Sequence, residues 1–298
     1  MKILYGLSDN NIDVTEICLN KLTKNNVIII PPSDSKRAHY FTDPINGVLK
    51  KIIIIDNNNN ITEYADFYTI TINLTDNTIH TINENDINQK IIQIHSTLNI
   101  NYGSFYHELP EQKMAIKYLH GNEKVLEIGG NIGRNSLVIS RILQNPRDLV
   151  VLESDTDIAK QLLENRNINN LDFIIENSAL SKRKLIQSGW ITIESDVLLD
   201  GYKHVNTITY EELLSKYNIE FDTLVLDCEG AFYYILMDMP EILQNINLII
   251  MENDYNEIKE KDYIDDVLIK NNFYRHYVEG GGWGPCCDNF FEVWKKSI

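Results

Sequence analysis

Cysteine is scarce in this chain, and the positions of the few that occur exclude a disulfide framework. The cysteines are Cys18, Cys228, Cys286 and Cys287. Cys286 and Cys287 are adjacent, and a disulfide bond between them would be too strained to form readily. None of the cysteines has the spacing to histidine or to another cysteine that a structural zinc site needs. The sequence therefore predicts reduced thiols, as in an intracellular protein, and no metal site of this kind.

Positive charge is also in short supply. Lysine and arginine number 27 against 43 aspartates and glutamates, which gives the 298-residue chain a formal net charge of −16. Proteins that bind DNA or RNA depend largely on clustered lysine and arginine side chains that neutralise phosphates. This balance argues against a nucleic acid as substrate or partner.

Long apolar runs are missing as well. No run approaches the roughly 20 residues that a membrane-spanning helix needs, and residues 1–6 lack the apolar core of a signal peptide. We therefore expect no membrane partner and a cytoplasmic protein. Heavy use of Asn, Ile and Lys, as in residues 56–60, is typical of an AT-rich genome such as that of a giant virus or a protist. If the source is viral, the expected compartment is the host cytoplasm.

The most informative segment that is present covers residues 125–133, with the sequence VLEIGGNIG. A short apolar run is followed by glycines and an asparagine that do not continue a strand, and then by an amphipathic run that predicts a helix. Strand, glycine loop and helix in this order are typical of a nucleotide-type cofactor site. The spacing is Glu127-x-Gly129-x-x-x-Gly133, and Asn131 occupies the place of the second glycine in a dinucleotide fingerprint.

This spacing suits S-adenosylmethionine better than a dinucleotide. The amino-acid end of that cofactor carries an ammonium group, for which Glu127 at the strand tip is a suitable partner. The cofactor has no phosphate that requires a helix N-terminus. Beyond the glycine loop, the apolar run 149–152 ends in Glu153, whose carboxylate is suited to accept hydrogen bonds from both ribose hydroxyls.

Several segments in order resemble the FkbM-type methyltransferases, a family within the class I S-adenosylmethionine-dependent superfamily. The resemblance covers roughly residues 111–296 and rests on VLEIGGNIGRNS at 125–136, VVLESD at 150–155, ENSALS at 176–181, VNTITYEELL at 205–214 and LVLDCEGAFYYIL at 224–236. The last segment is the most specific. FkbM-type proteins carry an aspartate, a variable residue and Glu-Gly-Ala at the end of the fourth strand, which residues 227–231 match.

The chain departs from that family pattern at three places. Gly130 stands where alanine is common, Glu127 where aspartate is common, and Glu-Ser-Asp at 153–155 where Glu-Pro is usual. None of these changes removes a needed functional group. The resemblance implies that Ser178 and Ala179 pass beside the adenine. It also implies a small-molecule or glycan acceptor that is methylated on a hydroxyl, with a sugar hydroxyl favoured.

The two halves of the chain predict different folds. Residues 1–82 contain short apolar runs bounded by proline, glycine and asparagine turns, which predicts a small all-β, sandwich-like module. Residues 83–104 are polar and irregular and are expected to form a linker. The module is expected to be a structural appendage, for example one through which a homo-oligomer forms, or a unit that binds a glycan or another partner.

Residues 105–298 alternate strand-like and helix-like segments, which predicts an α/β fold with a Rossmann-like doubly wound sheet. The runs 273–278 and 290–294 are expected to close the fold as an antiparallel hairpin. A terminal antiparallel strand is expected in class I methyltransferases and not in dinucleotide dehydrogenases.

Three acids are the catalytic candidates. Asp227 and Glu229 follow the central strand, where α/β sheets place ligands. We predict Asp227 near the cofactor sulfonium and Glu229 as the base that takes a hydroxyl proton, unless Glu229 caps the helix that begins at Gly230. Glu252 follows the next strand, and three roles are open for it: orienting substrate, binding a divalent cation with Asp227, or lying in a solvated loop. Beyond that alternative, no motif supports a divalent cation, and His107 and the other histidines are weaker candidates for the base.

Four other functions stay open. An N-methyltransferase acting on nucleic-acid or glutamine amides would carry Asn/Asp-Pro-Pro-aromatic where this chain has Asp-Cys-Glu-Gly, and a dehydrogenase would need a better glycine fingerprint. A protein methyltransferase is not distinguished by sequence. A catalytically inactive scaffold, with the β module as its binding part, is disfavoured by the intact Glu127, Glu153 and Asp227.

Overall fold

The computed structural model describes residues 1–24 and 26–297. The chain divides into two compact units, Met1–Gln89 and Lys90–Ile298, and the division falls within the segment that was expected to be a linker. In the described part of the chain, no helix is both long and apolar enough to cross a membrane.

The first unit is built mainly from strands. Its elements in chain order are β1 (Lys2–Gly6), β2 (Asn11–Asp13), α1 (Thr15–Lys21), β3 (Thr23–Lys24), β4 (Val27–Ile30), α2 (Asp34–Phe41), β5 (Lys51–Ile55), β6 (Ile61–Tyr64), β7 (Tyr68–Asn73) and β8 (Ile79–Asn83). The strands form two four-stranded sheets, ordered β2-β1-β5-β6 and β3-β4-β7-β8, and every pairing is antiparallel. Because side chains alternate across a strand, four of these strands each bury two residues that are two positions apart in a common core. These residues are Ile3, Tyr5, Ile28, Ile30, Ile52, Ile54, Ile70 and Ile72.

The expectation of an all-β module is wrong in one respect, because two helices belong to this unit. Cys18 of α1 and Phe41 of α2 are buried in the same core as the strands. Each helix is short and presents few apolar residues at helical spacing, so its sequence signal is weak beside the isoleucine runs.

The expected linker 83–104 is also largely helical. Helix α3 (Glu84–Ser96) fills most of it and spans the division between the units. The asparagines of this segment suggested irregular structure, but Ile87, Ile91 and Ile94 recur at helical spacing and Ile91 is buried. Acids in the first turn and His95 in the last also complement the helix dipole.

The second unit alternates strands and helices. Its elements are α4 (Leu109–Tyr118), β9 (Val125–Ile128), α5 (Arg134–Ile142), β10 (Leu149–Leu152), α6 (Thr156–Ile168), β11 (Ile174–Glu176), β12 (Ala179–Leu180), β13 (Leu185–Ser188), β14 (Ile191–Glu194), β15 (Lys203–Val205), β16 (Thr207–Ile208), α7 (Tyr210–Tyr217), β17 (Thr223–Leu226), α8 (Ala231–Asp238), β18 (Leu248–Glu252), α9 (Ile258–Lys270), β19 (Phe273–Glu279) and β20 (Phe291–Lys296).

One mixed sheet of seven strands organises this unit, in the order β11-β10-β9-β17-β18-β20-β19. The first five strands are parallel, and β20 runs antiparallel between β18 and β19. Every residue of β9, β10 and β17 is buried, as expected for parallel strands covered on both faces. The predicted Rossmann-like sheet and its antiparallel C-terminal hairpin are confirmed.

The strand order determines where a ligand binds. The chain proceeds from β9 outward through β10 and β11 and then returns to place β17 on the other side of β9. In doubly wound sheets, ligands bind outside the carboxyl ends of the strands at such a switch point. Ile128 and Leu226 are in register there, and the Asp227 N–H donates to the Ile128 carbonyl at 3.1 Å.

Candidate functional site

A cleft of about 1180 Å³ opens at the carboxyl ends of β9, β10, β17 and β18. Its volume lies slightly above the usual range for small-molecule sites, about 300–1,000 Å³. Acidic residues outnumber basic ones in its lining. The two arginines of the lining are already paired, Arg134 with Glu108 and Arg183 with Asp238, each at 2.5 Å.

The glycine loop after β9 needs its glycines for backbone geometry. Gly129 and Gly133 have φ of +93° and +92°, in the left-handed region that favours glycine. A Cβ at Gly129 would lie 1.6 Å from the Asp227 carbonyl oxygen, and one at Gly133 would lie 2.4 Å from Leu162 Cδ1. The loop therefore packs against β17 on one side and α6 on the other.

Glu153 holds this loop in place. Its Oε2 accepts from the Asn131 N–H and its Oε1 from the Asp155 N–H, both at 2.8 Å. A carboxylate has about four acceptor positions, so capacity remains for two hydroxyl donors from a ligand. Glu153 lines the cleft although it is only 8% exposed, and burial raises its pKa to about 7.

Glu127 is placed differently from the sequence prediction. It is 2% exposed and is not among the described residues that line the cleft, and the same is true of Gly130 and Gly133. Among the described residues its Oε2 has no hydrogen-bond partner. Burial raises its pKa to about 8, and the negative charge of Glu108 adds to this shift.

Ser178 and Ala179 line the cleft beyond Glu153. The Ser178 hydroxyl donates to Glu176 Oε1 at 3.0 Å, and Glu176 also accepts from Lys216 and Tyr217. The Ser178 hydroxyl therefore already donates its hydrogen bond within the protein.

Three acids at the ends of two neighbouring strands come together. Asp227 follows β17, Glu252 ends β18 and Asp254 follows two residues later, and one carboxylate oxygen from each lies within 4.8 Å of the others. Glu111, on α4, adjoins Glu252. Among the described residues, no lysine, arginine or histidine forms an ion pair with any of these four acids.

The electrostatics of this group follow from burial and mutual repulsion. Burial raises the pKa of Asp227 well above its ordinary value, and the charges of Glu108 and Asp254 add to the effect. Burial also raises the pKa of Glu252, as does its contact with Glu111. Sequence analysis named Asp227 and Glu252 but missed Asp254 and Glu111. For Asp254, the only sequence feature that could have predicted its place in this group was its position two residues after Glu252. No sequence feature predicted the place of Glu111.

Glu229 lines the cleft and is exposed. Its φ of +50° is uncommon for a non-glycine residue, and backbone strain of this kind clusters at functional sites. Helix α8 begins after Gly230, and no side-chain hydrogen bond from the described residues caps it there. The N-cap residue Gly230 has no side chain of its own, so the alternative that Glu229 caps this helix stays a prediction.

A segment that sequence analysis did not assign also lines the cleft. It forms the antiparallel strands β13, β14 and β15, ordered β14-β13-β15. Gln187 and Trp190 come from this sheet and its turn, and Tyr234 comes from α8. Trp190 is 62% exposed. In the sequence, the signal for this turn was a tryptophan directly after a glycine. By contrast, none of the described histidines lines the cleft.

No protein-family model matches this chain, and no curated protein does either. Solved structures with a similar fold include an O-methyltransferase from Bacillus cereus in complex with SAH, at 14% identity and a TM-score of 0.42, covering 71% of this chain and 91% of that one. A ribosomal protein L11 methylase from Lactobacillus delbrueckii subsp. bulgaricus matches at 13% identity and 0.41, covering 63% and 79%. A methyltransferase from Pyrococcus furiosus matches at 14% identity and 0.39, covering 72% and 99%. At this identity the likeness is one of fold alone.

Proposed function

We propose that this chain is an S-adenosylmethionine-dependent methyltransferase of the FkbM type, which methylates a hydroxyl of a sugar, a glycan or a related small molecule. The observation that supports this best is the Glu153 carboxylate, which directly follows β10 and holds the glycine loop after β9 at the switch point of the sheet. The loop approaches β17 too closely for any residue but glycine at position 129.

The residues present fit the cofactor. Glu153 retains acceptor capacity for the two ribose hydroxyls, and Ser178 and Ala179 are available to pass beside the adenine. Glu127 is buried with one oxygen unpartnered and a raised pKa, and a nearby cationic group such as an ammonium would stabilise its ionised form. When bound, S-adenosylmethionine supplies a methyl group that is already activated for transfer.

The chain's own contribution is to orient the acceptor, exclude water and remove a proton. Glu229 is the exposed carboxylate of the cleft and is our candidate base, while Asp227 lies deeper, next to the glycine loop. Trp190 and Tyr234 offer aromatic surface on which the apolar face of a sugar ring can pack. Gln187 supplies a planar polar group suited to hydroxyls.

Calorimetric titration of the purified full chain with S-adenosylhomocysteine, with NAD as control ligand, tests this function. We expect binding of the former alone at micromolar affinity, and at least a tenfold loss of affinity for Glu153→Ala, because the ribose hydroxyls lose their acceptor. Glu164→Ala, on the exposed side of α6, is a matched control. If the folded wild-type chain, free of carried-over ligand, binds neither compound, the proposed function is wrong.

If S-adenosylhomocysteine binds, nucleotide sugars and glycans are the acceptors to test, with methyl transfer followed by mass spectrometry. Methylation of amines or of proteins, and of no hydroxyl compound, would overturn the proposed acceptor class while leaving the cofactor intact.

A further inference from the structure

The acids at the ends of β17 and β18 have the chemistry of a metal site. Asp227, Glu252 and Asp254 each present one carboxylate oxygen, and these oxygens lie within 4.8 Å of one another. The two strands are adjacent and parallel, with Leu226 in register with Met251, so their carboxyl ends meet at one edge of the sheet. The arrangement supplies only oxygen ligands, which hard divalent cations prefer.

Two further observations support a cation-binding site at these acids. Asp254 is only 8% exposed, and its Oδ2 has no hydrogen-bond partner among the described residues. Glu111 comes from a different element, α4, which packs against β18. It is 7% exposed, lines the cleft beside Glu252, and its Oε2 likewise has no partner among the described residues. Buried carboxylates are normally paired or coordinate a metal.

We propose that Asp227, Glu252 and Asp254 bind one divalent cation of the Mg²⁺ or Mn²⁺ class, with Glu111 adding negative charge beside it. Asp227 and Glu252 line the cleft, whereas Asp254 does not. A cation held by these three acids therefore lies at the cleft floor and keeps coordination positions open toward the cleft. Mg²⁺ typically keeps several such positions for water or substrate oxygens.

A role for this cation in catalysis rests on the proposed function. A bound divalent cation lowers the pKa of a coordinated hydroxyl. The described lining of the cleft contains no histidine or lysine, so carboxylates are the available bases, and they are weak bases toward an aliphatic hydroxyl. With a cation bound there, the hydroxyl proton would pass to Glu229, and the electron pair of the acceptor oxygen would form the new O–C bond while the C–S bond of the sulfonium breaks and leaves a neutral thioether.

Binding of the cation is tested by calorimetric titration of MnCl₂ and MgCl₂ into the full chain after treatment with a chelator. We expect a single saturable site, and a rise in the thermal unfolding midpoint when the cation is present. Asp254→Asn and Glu252→Gln should each lower the affinity at least tenfold and abolish the rise in midpoint. Asp262→Asn, an exposed acid on α9, should bind the cation within twofold of wild type.

Two results would overturn this inference. One is the absence of saturable binding by the wild-type chain at up to about 10 mM of either cation, above the weakest range of calcium modules. The other is wild-type cation affinity in both Asp254→Asn and Glu252→Gln, with their folds intact by circular dichroism, because the cation then binds elsewhere. Titration with S-adenosylhomocysteine in metal-free buffer separates the two proposals. Cofactor binding without cation binding removes the metal site alone, and the reverse removes the proposed function alone.

Discussion

Two groups of buried acids in the second unit differ in how their charge is compensated. Glu292, on β20, is 0% exposed and accepts from Arg275 Nη1 at 2.7 Å and from Trp294 Nε1 at 2.8 Å. Lys261 Nζ lies 3.0 Å from Glu292 Oε2, the oxygen that also accepts from Trp294. Burial acts to raise the pKa of Glu292, but the charges of Lys261 and Arg275 outweigh it, so the pKa lies below the ordinary value.

The cleft acids show the opposite balance. Burial raises the pKa of Asp227 and of Glu252, and their neighbours are other acids. Since both groups belong to the same unit, burial alone does not distinguish a structural acid from a functional one. What differs is the partner: the fold itself neutralises Glu292, whereas no described basic side chain forms an ion pair with Asp227 or Glu252.

The largest effect is expected where the fold supplies the partner. Lys261→Met leaves Glu292 buried next to one fewer cation, and breaking a buried pair in this way typically costs about 3–5 kcal/mol in the free energy of unfolding. Urea denaturation at neutral pH measures this loss. Lys259→Met, exposed on the same helix, is the matched control. A loss below about 1 kcal/mol in Lys261→Met would show that the network around Glu292 does not hold the fold together.

The next effect concerns the exposed acid of the cleft. If Glu229 takes the acceptor proton, Glu229→Gln should lower kcat by about 100-fold or more, the usual contribution of a general base. The affinity for S-adenosylhomocysteine should stay within twofold, because Glu229 is not assigned to the cofactor. Steady-state kinetics with the identified acceptor, together with calorimetry, measure both quantities, and Glu211→Gln on α7 controls for loss of an exposed acid. Undiminished kcat in Glu229→Gln would move the role of base to another carboxylate.

A smaller effect is expected at Glu127, which has no compensating charge. An unfolded chain releases its proton near the ordinary pKa of 4.5, whereas the folded chain holds it until about 8. Between these values the folded state binds the additional proton, so the free energy of unfolding should fall as pH rises from 5 to 8. We expect Glu127→Gln to remove part of this fall and to be more stable than wild type at pH 8 by about 1–3 kcal/mol.

Urea denaturation of wild type and Glu127→Gln at pH 5, 6, 7 and 8 provides this comparison. The negative charge of Glu108 adds to the raised pKa of Glu127, so Glu108→Gln in the same series separates its contribution. Parallel pH profiles for wild type and Glu127→Gln would contradict the raised pKa.

The smallest effect is expected at an exposed pair. Lys184 and Asp196 are 2.9 Å apart, and both side chains are 80% exposed. Because water screens such pairs, Lys184→Ala should leave the unfolding midpoint unchanged. A clear loss of stability would show that proximity alone, without burial, matters in this protein.

Much of the second unit could be predicted because its signals are local. The apolar runs of β9, β10 and β17 are contiguous in sequence, and acids directly follow β10 and β17, so the strands and the sheet edge that carries Glu153 and Asp227 were predictable. Helix α3 was not predicted because its asparagines suggested irregular structure, although its isoleucines recur at helical spacing. The sheet of β13, β14 and β15 was missed because short, exposed strands carry little periodicity.

By itself, the sequence determined the strand–loop–helix order around β9 and the acids that follow β10 and β17. These properties depend on neighbours along the chain and on backbone conformation. Only the tertiary structure decided that Glu127 is buried and does not line the cleft, and that Glu111 and Asp254 lie beside Asp227 and Glu252 without an ion pair to a basic side chain among the described residues. That grouping depends on which strands are adjacent and on how α4 packs against β18. Packing between segments distant in sequence determines the strand order and the position of α4, and no local sequence pattern predicts either of them.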